Sequence, residues 1–142
     1  MANDQRNIKF GYFLIPTVDA PLLSIAQEVE RLGLDYIAVQ DHPYQRHFVD
    51  TWTLLSMIAA KTSRIGLLPD VTNLPLRPPA VMAKAAATID VLSGGRFELG
   101  LGAGAFWDAI EAYGGPRRST GDALDAMAEA IEVIRMVWSG DR

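Results

Sequence analysis

The chain has 142 residues, a formal net charge of −4 and no cysteine. Disulfides, thiolate metal sites and thiol catalysis are excluded, and the charge balance gives no electrostatic reason to expect nucleic acid as a partner. No stretch approaches the ~20 apolar residues of a membrane span, and the length suffices for one domain burying roughly two-thirds of its unfolded surface.

The polar opening, MANDQRNIKF, lacks the apolar core of a secretion signal, so a cytoplasmic location is expected. Residues 8–15 (IKFGYFLI) read as a first strand. Asp19 is placed to cap a helix with Pro21 in its first turn and Leu22, Ile25, Ala26, Val29 and Leu32 along one stripe. Gly33 then falls where a left-handed C-cap belongs, with Leu34 set for the accompanying apolar contact. The run 36–40 is the second strand, its continuous apolar character being what a sheet covered on both faces requires. Trp52, Leu55, Met57, Ile58 and Ala59 mark a second helix, and 64–68 (RIGLL) a third strand. Pro78 and Pro79 open a third helix, which Gly94 and Gly95 close. Residues 96–102 (RFELGLG) are the fourth strand. A short amphipathic piece from Phe106 to Tyr113 precedes a longer helix over 120–138, with Leu124, Met127, Ile131, Ile134 and Trp138 on one side.

Four strands alternating with helices predict parallel pairing. Two architectures share that order, an open doubly wound sheet and part of a (β/α)8 barrel. A complete barrel needs at least ~200 residues, so this chain supplies about half of one or forms a small open sheet. Nothing in composition marks a domain boundary, and residues 1–142 are expected to be a single domain.

In either architecture ligands bind at the carboxyl ends of the strands. Asp41 and His42 stand there, before Pro43 stops the second strand. An imidazole titrates near neutrality and serves as a general acid or base; its bland reading is a strand-end residue bonded to backbone. Adjacent strand residues point to opposite faces, so only one of the two need face a pocket. Asp41, His42, His47 and Asp50 match no metal-ligand spacing, and no metal is expected. Asp70, Val71, Thr72 and Asn73 leave the third strand at the same level as His42 and should line the same cavity. Arg77 is either an anion contact or an ordinary solvated residue. GLGAGA (100–105) meets the loose dinucleotide pattern, but no strand follows in time to bring the ribose-binding acid, and no Lys-Ser/Thr follows for a phosphate loop. What survives is a close backbone approach, with amides of Gly102, Ala103, Gly104 and Ala105 open to an anion, against a glycine-rich strand exit with no ligand.

Together GYFLIP, LGLDYIAVQDH and the long segment RIGLLPDVTNLPLRPPAVMAKAAATIDVLSGGRFELGLGAGAFWDAIEAYGG resemble the N-terminal half of the bacterial-luciferase-like superfamily of flavin- and deazaflavin-dependent oxidoreductases. The resemblance spans residues 8–138 and implies a (β/α)8 barrel of the TIM type. It also implies FMN or coenzyme F-420 at the carboxyl ends of the strands. By position, His42 resembles an imidazole near the reacting face of the cofactor, with Asp41 beside it. Asp70-Val71 falls at a non-proline cis peptide behind the ring, with Thr72 next to it. Gly102 to Ala105 resemble the loop on the ribityl-phosphate side; many deazaflavin-dependent members carry an acid after these glycines, where Ala105 stands here. Members of the superfamily continue for four more units.

The expected function is hydride transfer to or from a small organic substrate through F-420, or monooxygenation with FMN, once the other barrel half is supplied. The alternatives are a non-catalytic half-barrel that self-associates or binds flavin without turnover, and a nucleotide-binding open sheet. The expected partners are a small-molecule substrate and a second copy or complementing barrel half, with neither nucleic acid nor membrane. Under the half-barrel reading Phe10, Tyr12, Ile37, Val39, Leu67, Phe97 and Leu99 are the pool for the barrel interior.

Overall fold

A computed structural model describes residues 8–140; residues 1–7, which form most of the polar opening, and residues 141–142 lie outside it. Three short strands, β1 (Gly11–Leu14), β2 (Tyr36–Val39) and β3 (Gly66–Pro69), pair in parallel in the order β1-β2-β3. In register, Tyr12, Ile37 and Leu67 share one row, and Gly11, Tyr36 and Gly66 the row below. The connections are helical: α1 (Leu22–Arg31), α2 (Thr51–Lys61) and α3 (Pro79–Ser93). The first strand is shorter than the eight residues expected, with partners in β2 only from Gly11 to Leu14.

Helix ends follow local chemistry. Asp50 caps α2, its side chain accepting the Thr53 amide at 2.9 Å. Gly33 adopts φ +82°, and a Schellman pair closes α1: Gly33 N–H to the Glu30 carbonyl and Leu34 N–H to the Val29 carbonyl. The expected Asp19 cap is not formed. Pro21 takes the N-cap position with no side-chain cap, and the helix begins at Leu22. The segment 17–20 instead turns tightly, with Ala20 N–H on the Thr17 carbonyl.

The fourth strand is split. Its first part pairs with β3 through a bridge between Phe97 and Leu67, with Leu67 N–H on the Arg96 carbonyl and Glu98 N–H on the Leu67 carbonyl. Its second part is β5 (Leu101–Gly102), which pairs in parallel with an unexpected two-residue strand, β4 (Thr72–Asn73). Between the two pairings lies the Asp70–Val71 peptide, which is cis, as the resemblance implied. A 3-10 turn (Leu74–Leu76) leads from β4 toward α3. Downstream come α4 (Trp107–Ala112) and α5 (Thr120–Ser139), the latter opened by a reciprocal Ser119–Asp122 capping box.

Ile37, Val39 and Leu67 are fully buried in one cluster with Ala26 and Val29 of α1, Leu55 and Ile58 of α2, and Ala83 and Ala86 of α3. These strand residues, expected inside the barrel, therefore face the helices. Phe97 belongs with them, its ring 5.6 Å from that of Trp52. Of the alternate set on the strands, which lies toward the other face, Phe13 is exposed, Tyr36 and Leu68 are half-buried and the small Ala38 is buried. Helices on one face of a parallel sheet are the arrangement of a barrel wall, not of a doubly wound sheet. On α5 the buried positions are Ala123, Ala130 and Ile134, while Leu124 and Trp138, expected in the packed stripe, remain largely exposed. The indole of Trp138 nevertheless donates to the Ala83 carbonyl at 2.9 Å, tying α5 to α3.

Candidate functional site

Beyond Val39 the second strand runs on for one more ladder bond, Gln40 N–H to the Leu14 carbonyl. The two residues that follow have separate surroundings. Asp41 is buried, and its carboxylate accepts from Arg77 Nε at 3.0 Å, Arg77 Nη2 at 2.9 Å and the Asn73 amide at 3.0 Å. Arg77 reaches Asp50 Oδ2 as well, at 2.9 Å, and its guanidinium lies 5.6 Å from the Trp52 ring centroid. Arg77 is thus neither a free anion contact nor a solvated side chain. It joins the end of β2 to the start of α2, while Asp41 itself ties β2 to β4 through the Asn73 amide.

His42 has different neighbours. Its Nδ1 lies 2.6 Å from the Tyr44 hydroxyl, and the Phe106 ring meets its ring edge-on at 5.3 Å. Partial burial pulls the imidazole pKa below its ordinary value, and the Asp41 charge opposes that only in part. Burial likewise raises the Tyr44 pKa, aided by Asp41, so the phenol keeps its proton at neutral pH. Nε2 of His42 has no hydrogen-bond partner among the described residues.

A cleft of about 210 Å³ opens here, walled by His42 and Tyr44, by Val71 to Asn73, and by Gly102 to Phe106. Of the residues singled out from sequence, His42, Val71, Thr72, Gly102, Ala103, Gly104 and Ala105 all line it. Asp41 lines it as well, with its carboxylate committed to Arg77. Asp70 is exposed and outside the lining; its amide bonds the Val39 carbonyl at 2.8 Å. His47 is exposed and Asp50 is spent on the helix cap and Arg77. Tyr44 and Phe106 are site residues that the sequence reading missed. Tyr44 had one signal, its place two residues after His42 beyond Pro43; Phe106 had none.

The wall has unused polar capacity. Thr72 Oγ1 and Asn73 Oδ1 are buried without a partner, a condition native proteins rarely leave unmet. The Gly104 and Ala105 amides donate to no group among the described residues. Amides without acceptors and the exposed apolar surfaces of Val71 and Phe106, over a wall with unpaired polar oxygens inside it, suit a flat ring with polar edges. A larger groove, about 490 Å³, lies between the start of α1 and α2, but Leu22, Leu23, Leu54, Met57 and other apolar side chains dominate it. The chemistry favours the smaller cleft.

The family model for luciferase-like monooxygenases matches residues 9–142. Among curated proteins, an F420-dependent glucose-6-phosphate dehydrogenase of Kineococcus radiotolerans is 34% identical over 143 residues, covering 95% of this chain and 42% of that protein. Among solved structures, an F420-dependent secondary alcohol dehydrogenase in complex with an F420-acetone adduct superposes with a TM-score of 0.83. It has 26% identity, over 94% of this chain and 43% of that one. A type II Baeyer-Villiger monooxygenase from Pseudomonas putida, in complex with FMN, shares the fold at a TM-score of 0.79 and 22% identity, over 92% and 39% of the two chains. The chain thus spans about two-fifths of the length of these relatives, about four strand-helix units of a TIM-type barrel. With the family match running from the first strand to the last helix, this chain belongs to the luciferase-like monooxygenase family.

Proposed function

We propose that the cleft is one wall of a flavin or deazaflavin site in an oxidoreductase acting on a small organic substrate. The observation that carries this is the meeting, at the strand ends, of a titratable imidazole and two amides without acceptors in one cleft, backed by two unpartnered oxygens buried in its wall. The relatives' names supply the candidates, F-420 and FMN. Bound there, F-420 would supply hydride transfer, and FMN hydride transfer or oxygen chemistry. Thr72, Asn73 and the backbone of Gly102 to Ala105 would hold the group, with Val71 at its apolar surface.

His42 is the proton-handling residue in this reading. With Tyr44 donating to Nδ1, the neutral ring carries its proton on Nε2 and offers it to the cleft. In the other tautomer Nδ1–H donates to the phenol oxygen, and Nε2 becomes an acceptor. Both forms are available near neutrality because partial burial lowers the imidazole pKa. Asp41 assists through its charge and position, its carboxylate being committed to Arg77. Hydride transfer through F-420 is preferred, and FMN-dependent monooxygenation is the other use of the same cleft.

A specific observation supports a companion for this chain. Tyr12, Phe13 and Ile15, on and just beyond β1 at the sheet edge, are each at least two-fifths exposed. Such an edge and face call for cover from a complementing barrel half or, if this chain acts alone, a second copy. Without that cover it would be a non-catalytic cofactor-binding half-barrel. Titrating the full chain with F-420 and separately with FMN, followed by cofactor fluorescence, tests the reading. Saturable quenching by either cofactor, weakened in His42→Ala, is expected. No saturable change with either would reject the site.

A further inference from the structure

We propose that Arg77 is a positioning residue for the cleft: from behind the wall it holds Asp41 in place and screens its charge from His42. The inference rests on the reading of His42 as the proton-handling group, and it adds a residue outside the cleft lining that sets how His42 behaves. Arg77 is absent from the cleft lining, so whatever it does there it does through Asp41.

The geometry is specific. Two nitrogens of one guanidinium, Nε and Nη2, engage the two oxygens of Asp41, a fork-to-fork arrangement that fixes the carboxylate plane as well as its distance. The same Asp41 oxygen that meets Nε also takes the Asn73 amide, and Asn73 is the residue whose Oδ1 stands unpartnered in the cleft wall. Arg77 is itself braced from two further sides, by Asp50 at the head of α2 and by the Trp52 ring. Its side chain is 22% exposed, while that of Asp41 is 1% exposed. The Arg77–Asp41 pair therefore fixes the end of β2, the Thr72–Asn73 strand and the first turn of α2 relative to one another, Arg77 reaching Asp50 and Asp41 taking the Asn73 amide. These are the elements that support two walls of the cleft.

The electrostatic consequence concerns the neighbouring imidazole. Among the described residues the titratable groups acting on His42 are Asp41, next in sequence, and Tyr44, at Nδ1. Asp41 is coupled to Arg77, and Arg77 to Asp50. A buried carboxylate with no counter-ion would favour the imidazolium strongly. With Arg77 on both its oxygens, Asp41 leaves burial as the larger influence, and His42 stays neutral further down in pH than a free histidine. A lysine could keep the charge but not the fork.

The test is the His42 titration, followed by the NMR signal of its ring in a His47→Gln background, which leaves one histidine in the chain. It needs no cofactor, so its outcome is separate from whether the cleft binds flavin. Arg77→Met should raise the His42 pKa by exposing it to an unscreened Asp41. Arg77→Lys should restore it most of the way while leaving the protein less stable. Asp41→Asn, the isosteric variant that remains informative if Arg77→Met does not fold, should lower it, since the attractive charge is removed and Arg77 is left partly unpaired. A folded Arg77→Met with an unchanged or lowered His42 pKa would overturn the proposal. So would an Asp41→Asn titration identical to that of the parent.

Discussion

Replacing Asp41 by alanine removes one buried carboxylate and, with it, three hydrogen bonds: two from Arg77 and one from the Asn73 amide. Breaking a buried ion pair by deleting one partner costs about 3–5 kcal/mol when the other is left uncompensated. Here Arg77 retains Asp50 and is 22% exposed, so water and the second carboxylate recover part of that. The Asn73 amide, by contrast, loses its acceptor inside the wall, a loss of about 1–3 kcal/mol. Together these give a net destabilisation of about 2–4 kcal/mol, a large share of the ~5–15 kcal/mol that holds a domain folded. Urea denaturation of both proteins, monitored by far-ultraviolet circular dichroism, measures the difference. The double variant Asp41→Leu/Arg77→Met should be less destabilised than the sum of Asp41→Leu and Arg77→Met made singly, since neither charge is then left buried and alone. A loss under about 1 kcal/mol for Asp41→Ala, or additive single and double variants, would refute the reasoning.

The Glu30 carboxylate accepts the amides of Ser63, Arg64 and Ile65; burial raises its pKa, but those three amides outweigh burial and the net shift is downward. A depressed folded pKa means the contribution is present above the unfolded pKa and lost as pH falls through the folded one, so the stability advantage over Glu30→Gln should be full at pH 7 and shrink in acid below about pH 4, as urea midpoints across that range will report. Gly104 has φ +104°, and a Cβ there would lie 2.7 Å from Pro75 Cγ and 2.9 Å from Trp107 Cη2. Gly104→Ala should therefore lose roughly 2 kcal/mol in the same denaturation assay, whereas a neutral result would mean that the loop shifts freely.

The strand-helix order was legible because local signals agreed: Gly33 with Leu34, Pro79 at a helix start, and the apolar run ending at Val39. Which strand face meets the helices was not. Ile37, Val39 and Leu67 are as apolar as Ala38 and Leu68, and period-two alternation between two apolar sets leaves the inner side undetermined until the helices are packed. The split of the fourth strand was hidden for a related reason. RFELGLG alternates like one strand, and only the pairing of Thr72–Asn73 with its second half shows where it changes partner. On α5 the small side chains of Ala123 and Ala130 lie against the core, and the larger Leu124 drew the stripe to the wrong side. At the cleft, residue positions were legible but partnerships were not. Arg77 lies 36 residues from Asp41, and nothing local in the chain announces that pairing.

The most direct test of the proposed site is where the cofactor binds. Amide chemical-shift mapping of the full chain, titrated with F-420 and then with FMN, should give saturable changes concentrated at His42, Tyr44, residues 71–73 and residues 102–106. Changes centred instead on the apolar groove between α1 and α2, or titrations in which neither cofactor moves the amides of Gly104 and Ala105, would contradict it.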